Sequence, residues 1–292
     1  MKKYFTILFL IFTTILSAQQ PLLEKVKIPF TLSPNGHIII NAKINGVDGT
    51  FIFDTGAGMN LLTKKFADKI TDLEKTHHFH TGHRATGEAI QSDLYKASSL
   101  YIADYSSTDR IFAVYDLEFP LDGLISLTAF KNQPFTIDFK ENILHLESES
   151  SLSKIQQKAD FKLPLQVKND RGIEISVSTT ILLNNTLALN VGLDSGAGFG
   201  VYRFNSKYMK DLYVDSTKIK SEFKPSYFIP KEGNTYYYTE IDTLSDINKN
   251  TSITNFNATF IEGLLYEGIM GINWLGNKLT FDIDNKLLTV IK

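Results

Sequence analysis

The sequence contains no cysteine and has almost no excess of charge of either sign. Without cysteine, a disulfide framework, a thiolate metal site and a cysteine nucleophile are excluded. Lys and Arg total 30 against 32 Asp and Glu, so we do not expect a basic surface for nucleic acid. The sequence also lacks the motifs of phosphate-binding loops, dinucleotide-binding folds, HExxH metalloproteases and serine hydrolases.

The chain is nevertheless long and apolar enough to fold. It has 292 residues, of which 43% are hydrophobic, so a sizeable core is expected and an intrinsically disordered protein is excluded. A chain of this length predicts about two domains.

The first twenty residues have the pattern of an export signal. Two lysines are followed by an apolar run over residues 4–16 and then by small and polar residues. The run is shorter than the roughly 20 residues that span a bilayer, so we predict a signal peptide over residues 1–18, cleaved after Ala18. An uncleaved N-terminal anchor is the alternative. The expected location is the periplasm or the exterior of the cell.

The rest of the chain has the pattern of β-strands. Apolar residues alternate with polar ones over 173–177 and 187–193, which is typical of half-buried strands. Residues 37–44 and 50–53 predict two strands joined by a turn at 45–49. A helix is expected over 61–70, after Asn60 as a cap, and the polar stretch 147–160 predicts a connector that could hold a short helix.

Four short blocks of the first half recur in the second half in the same order. The pairs are 28–30 with 163–165, 51–58 with 191–198, 122–127 with 267–272, and 136–139 with 280–283. This repetition predicts a duplicated β unit. We expect an N-terminal lobe over 24–148, a connector over 149–160 and a C-terminal lobe over 161–292.

The longest block contains an aspartate followed by a hydroxyl residue and a glycine. Asp54 and Asp194 each follow an apolar strand, and if the two copies meet face to face, the two carboxylates would share one proton. The ionised member could take a proton from water while the other donates to a carbonyl oxygen, which is the logic of the aspartic-protease dyad. Alternatively, each aspartate only stabilises a turn.

At this point the chain resembles the aspartic proteases. Residues 54–57 (Asp-Thr-Gly-Ala) and 194–197 (Asp-Ser-Gly-Ala) are similar to the catalytic motifs of the retropepsin-like branch, and residues 269–271 match the later signature of two apolar residues and glycine. The first lobe departs from that signature, because Ser126 stands where glycine is expected. The resemblance implies an all-β, bilobal acid-protease barrel fold made of two retropepsin-like lobes in one chain.

The resemblance also implies an activity. It predicts an aspartic endopeptidase that hydrolyses extended polypeptides with Asp54 and Asp194 as catalytic residues, without a cofactor or metal, and as a monomer. The support of the two active-site turns is expected from four further residues: Thr55, Gly56, Ser195 and Gly196. The hydroxyls would donate to backbone carbonyls, and the glycines would permit a backbone conformation denied to other residues. A catalytically weak peptide-binding or scaffold protein that retains the cleft is the alternative, motivated by Ser126 and by the absence of a second glycine-rich flap.

Members of this family close a hairpin flap of the first lobe over the substrate. The two glycines in residues 81–89 suit a mobile hairpin tip, so we expect substrate contacts from Ala85, Thr86 and Gly87. The corresponding stretch of the second half, 223–238, is aromatic and lacks a glycine pair, which predicts a single working flap.

Two further expectations concern titratable groups. Four histidines lie close together at positions 77, 78, 80 and 83, and a solvated approach to the flap is favoured over a metal site because no carboxylate cluster accompanies them. Ala57 and Ala197 cannot donate the side-chain hydrogen bond that pepsin-like relatives direct toward the dyad. We therefore expect activity at mildly acidic to near-neutral pH.

Overall fold

The structure is a computed structural model that describes residues 26–130, 133–226, 229 and 231–292. The predicted signal peptide lies outside the described residues. Among the residues described, no helix is long and apolar enough to cross a membrane.

The first lobe is built from short strands. In chain order its strands and its helix are β1 (Val26–Pro29), β2 (Thr31–Leu32), β3 (Ile38–Ile44), β4 (Val47–Asp54), β5 (Leu61–Thr63), α1 (Lys64–Ala67), β6 (Glu74–His83), β7 (Ala89–Ile102), β8 (Tyr105–Tyr115), β9 (Gly123–Ser126), β10 (Phe135–Asp138) and β11 (Ile143–Leu146). A 3₁₀ helix, Leu127–Ala129, follows β9.

The second lobe repeats this series after a connecting helix. Its elements are α2 (Glu149–Gln157), β12 (Phe161–Pro164), β13 (Gln166–Asp170), β14 (Glu174–Leu183), β15 (Leu187–Leu193), β16 (Tyr202–Asn205), β17 (Lys220–Pro225), β18 (Gly233–Asp246), β19 (Ser252–Ile261), β20 (Gly268–Met270), β21 (Lys278–Asp282) and β22 (Leu287–Ile291). Two 3₁₀ helices, Ser195–Ala197 and Ser206–Met209, flank β16.

Each strand of the first lobe has a counterpart eleven strands later. The first eight-stranded sheet has the order β2-β3-β4-β9-β5-β8-β7-β6, and the second has the order β13-β14-β15-β20-β16-β19-β18-β17. A third sheet, β1-β11-β10-β21-β22-β12, joins the lobes and maps onto itself under the same shift. The chain therefore has an internal pseudo-twofold axis, and the predicted bilobal all-β fold is confirmed.

The pseudo-twofold axis passes through the third sheet, between its two central strands β10 and β21. β10 and β21 pair antiparallel, with Thr136 opposite Thr280 and their hydroxyl oxygens 2.8 Å apart. On the other face of these strands the Phe135 and Phe281 rings stack with centroids 5.1 Å apart. Because these side chains are buried, the two lobes share one continuous apolar core rather than two separate ones.

Two local predictions need correction or refinement. The expected helix over 61–70 is wrong in its first part, since residues 61–63 form strand β5 and the helix α1 is a single turn capped by Thr63, not Asn60. Residues 61–63 pair with both β8 and β9, and these backbone hydrogen bonds between strands would be lost if the same residues were helical. The polar connector does hold a helix, α2, which Ser148 caps by accepting from the Ser151 amide.

Candidate active site

The two aspartates of the repeated motif lie at the ends of equivalent strands. Asp54 is the last residue of β4, and Asp194 directly follows β15. Each carboxylate folds back on its own turn: Oδ1 of Asp54 accepts from the Ala57 amide at 3.0 Å, and Oδ1 of Asp194 accepts from the Ala197 amide at 2.8 Å. These bonds fix the two carboxylates where the lobes meet, at the base of the cleft between them.

The carboxyl groups of Asp54 and Asp194 hydrogen-bond to each other. Glycine makes this approach possible, because a Cβ on Gly56 would lie 2.4 Å from Cγ of Asp194, and one on Gly196 would lie 2.4 Å from Cγ of Asp54. Neither glycine has a positive φ. The two glycines were expected to permit a special backbone conformation, and that prediction is wrong, because what they provide is space for the opposite carboxylate.

The hydroxyl residues after the aspartates tie the lobes together. The Thr55 hydroxyl donates to the Leu193 carbonyl at 2.7 Å and accepts from the Ser195 amide at 3.0 Å. The Ser195 hydroxyl donates to the Phe53 carbonyl at 2.8 Å and accepts from the Thr55 amide at 3.0 Å. We call these four bonds the reciprocal grip. The hydroxyls were expected to brace the turns, and the bonds they make reach the opposite lobe.

Burial and contact set the protonation of the pair. Burial at the base of the cleft raises the pKa of Asp54 even though Asp194 and the Gly56 and Ala57 amides hydrogen-bond to it. Burial, followed by repulsion from Asp54, raises the pKa of Asp194 well above that of an ordinary aspartate. Two carboxylates in contact cannot both ionise easily, so the pair holds one proton between them.

Ser126, which departs from the expected signature, is accommodated by its surroundings. Its counterpart Gly271 has no room for a side chain, because a Cβ there would lie 2.1 Å from the Gly198 carbonyl oxygen. In the first lobe the side chain of Asn60 lies next to Ser126, and its amide oxygen accepts from the Ser126 amide at 2.9 Å. The buried Ser126 hydroxyl accepts from the Thr128 amide at 3.2 Å and caps the helix that follows. The departure leaves the dyad geometry intact.

A cleft of about 1530 Å³ opens above the two aspartates. Both lobes line it, and the β6–β7 hairpin forms its roof. The hairpin tip reaches the second lobe, where the Leu265 amide donates to the Ala85 carbonyl at 2.9 Å and the Asn234 side-chain amide donates to the Thr86 carbonyl at 3.3 Å. Of the three flap residues named from the sequence, Ala85 lines the cleft, whereas Thr86 and Gly87 do not.

Part of the first lobe is similar to a known protein family. Residues 40–129 match the family described as "Aspartyl protease", a segment that contains Asp54, the flap hairpin and Ser126. Over these residues the first lobe is similar to the aspartyl protease family. The resemblance drawn from the sequence is thereby confirmed.

A solved structure is also similar to the chain. It is a retropepsin-like aspartic protease from Rickettsia conorii, 26% identical over 42% of this chain and 91% of that one, with a TM-score of 0.33. No curated protein matches the chain.

The β6–β7 hairpin of the first lobe carries a buried carboxylate. Glu88 is 6% exposed and accepts from Arg84 at 3.1 Å and from the Thr86 hydroxyl. Burial raises the pKa of Glu88, but hydrogen bonds from Ser226 of the second lobe and from Thr86, together with the charge of Arg84, hold it below the ordinary value. A charged Glu88 thus joins the flap tip to the opposite hairpin.

The histidine cluster does not form a metal site in the described part of the chain. His77 and His78 are exposed, whereas His80 lies 3.4 Å from Glu174 of the second lobe. Sequence reasoning missed this cross-lobe pair. It also missed Leu265 and Tyr266, which line the cleft from the loop before β20 and belong to no repeated block.

Proposed function

We propose that the chain is an endopeptidase whose catalytic residues are Asp54 and Asp194. One observation carries the proposal: two carboxyl groups from equivalent strands hydrogen-bond to each other at the base of a cleft that both lobes line. A structural pair of aspartates has no need of such a cleft. Buried carboxylates in contact are expensive to maintain, which favours a functional role.

The surroundings assign a role to each carboxylate. Asp54 accepts hydrogen bonds from two amides of its own turn, Gly56 at 2.8 Å and Ala57 at 3.0 Å, whereas Asp194 accepts one such bond, from Ala197. Amide donors favour the ionised form. Asp54 therefore acts as the general base that takes a proton from water, and Asp194 donates its proton to the carbonyl oxygen of the substrate.

The shape of the cleft supports an extended polypeptide as the substrate. It lies between two sheets and under a hairpin, so a peptide strand can form main-chain hydrogen bonds to the flap as an added strand. Because the flap tip is bonded to Leu265 and Asn234, the hairpin must lift before a chain can enter.

Cleavage of a diverse peptide library between pH 3 and 8 tests the proposal. The purified protein is compared with Asp54→Asn and Asp194→Asn, and with Asp284→Asn as a control on an exposed carboxylate. We expect cleavage by the wild type and the control at mildly acidic to near-neutral pH, and none by either dyad variant. Peptides that bind tightly but are never cut would favour the binding-protein alternative, and cleavage that survives both dyad substitutions would contradict the dyad.

We also propose that the protein is exported and acts as a monomer. The basic and apolar pattern of residues 1–18 supports export. One chain supplies both aspartates and both halves of the cleft, so a second copy is not needed. Cell fractionation with N-terminal sequencing of the mature protein, and its mass in solution, would test these two points.

A further inference from the structure

Equivalent strands of the two lobes place two rows of residues beside the dyad. In the first lobe, Ile39 lies opposite Ile52, Ile52 beside Leu124, and Leu124 opposite Leu61. All four line the cleft. Ile52 precedes Asp54 by two residues, so both side chains emerge on the same face of β4 and lie about 7 Å apart along the strand. This row is a continuous aliphatic surface next to one carboxylate.

The second lobe has the same row with different chemistry. Ser178 lies opposite Gly192, Gly192 beside Ile269, and Ile269 opposite Arg203. The pairing registers are identical, so Ile39 corresponds to Ser178, Ile52 to Gly192 and Leu61 to Arg203. Two of the aliphatic side chains that line the cleft in the first row are therefore replaced by a hydroxyl and by no side chain, whereas Arg203, in the place of Leu61, is exposed and lies outside the cleft lining.

The space left at Gly192 belongs to the cleft. A Cβ built there would meet only ordinary contacts, the Gly268 carbonyl oxygen and the Ile269 side chain, each at 3.8 Å. Its backbone does not have a positive φ, so no conformational reason requires glycine. Gly192 lines the cleft, as do the polar residues Ser176 and Asn190 around it. The missing side chain therefore leaves a polar-lined recess beside Asp194.

We infer that the two side-chain pockets beside the dyad select different residues: the Ile52 pocket binds a large apolar side chain of the substrate, and the Gly192 pocket binds a polar one. The inference rests on the proposed function, since it names which peptides the cleft accepts. An aliphatic wall gains from burying apolar surface, whereas hydroxyl and amide groups lose hydrogen bonds to water unless the bound side chain replaces them.

The test is the sequence profile around the cleaved bond, read by mass spectrometry of a peptide library. We expect the wild type to enrich large apolar residues on one side of the bond and polar residues on the other. Gly192→Ile should raise the preference for apolar residues at least about tenfold on the side of the bond that the Gly192 pocket binds. Ile52→Gly should lower that preference by a similar factor on the side that the Ile52 pocket binds. Ser178→Ile should act like Gly192→Ile, and Thr180→Ile, on the same strand but outside the cleft, should leave the profile unchanged.

Each outcome has a distinct meaning. Equal enrichment of apolar residues on both sides by the wild type would overturn the inference, as would wild-type profiles for both Gly192→Ile and Ser178→Ile. Because these two variants lie on different strands, a folding defect in one leaves the other to decide. If the wild type cleaves no peptide, or if cleavage continues without Asp54 and Asp194, the proposed function itself is contradicted.

Discussion

The reciprocal grip allows a quantitative prediction for Thr55→Val, which replaces a hydroxyl by a methyl group of nearly the same size. Thr55 is fully buried, so no water replaces the lost group. The substitution removes the donor to the Leu193 carbonyl and the acceptor of the Ser195 amide. Each orphaned buried group costs about 1–3 kcal/mol. With two groups orphaned, we therefore expect the free energy of unfolding to fall by about 2–6 kcal/mol.

Thr136→Val is the matched control. Thr136 is also buried between the lobes, but its hydroxyl contacts only the hydroxyl of Thr280, so the substitution orphans one side-chain group and no backbone group. We expect it to cost about 1 kcal/mol. Adding Thr280→Val should recover most of that loss, because both partners of the bond are then apolar.

The assay is denaturant unfolding of the variants, together with kcat and KM on a peptide that the wild type cleaves. Thr55→Val should lower kcat about tenfold or more, since it loosens the strand end that holds Asp54, whereas Thr136→Val should leave kcat unchanged. Equal losses of stability for Thr55→Val and Thr136→Val, or an unchanged kcat in Thr55→Val, would refute the reasoning.

Three further predictions concern titratable groups. Burial raises the pKa of Asp194, so the wild type loses stability as pH rises from the ordinary aspartate pKa up to that raised pKa. Asp194→Asn should therefore be more stable than the wild type at pH 7, and urea titrations should show this difference shrinking toward pH 3. Since the pKa of Glu88 lies below its ordinary value, Glu88→Gln should loosen the flap at pH 7 and have less effect near pH 3. Hydrogen exchange of the Leu265 amide, which donates to the flap tip, measures this, and an unchanged exchange rate at pH 7 would show that Glu88 does not hold the flap. Ala197→Thr should lower the acidic limit of the pH–rate profile by about one unit if its hydroxyl donates to the dyad, and an unmoved limit would show that it does not.

The fold was predictable from the repetition, because each block recurs with its apolar positions kept. The Asp-Thr/Ser-Gly blocks located two equivalent strand ends, and the structure brings Asp54 and Asp194 together at those ends. The helix expected over 61–70 failed for a tertiary reason: local pattern favoured a helix, but two neighbouring strands were available to pair with Leu61.

Contacts between the lobes were the part that local pattern could not supply. The grip joins residues 140 positions apart, and the flap tip meets Leu265 in a loop that has no equivalent block. Glycine at 56 and 196 was expected for a backbone reason and is required for space, a distinction that depends on where the opposite carboxylate lies. Such requirements are set by the docking of two units and leave no periodic signal in either one.

The two lobes are alike where they contact the two aspartates and differ where they contact the substrate. Residues that touch the dyad have equivalents in both lobes, because each carboxylate needs the same turn and the same cross-lobe hydroxyl. The row beside the dyad differs, with Ile52 in one lobe and Gly192 in the other. A peptide has a direction, so its residues on the two sides of the cleaved bond are not equivalent. A homodimer would present identical pockets to both sides, since its interface repeats one surface. Two lobes in one chain can vary separately, and the difference between Ile52 and Gly192 is therefore where we expect a directional preference to arise.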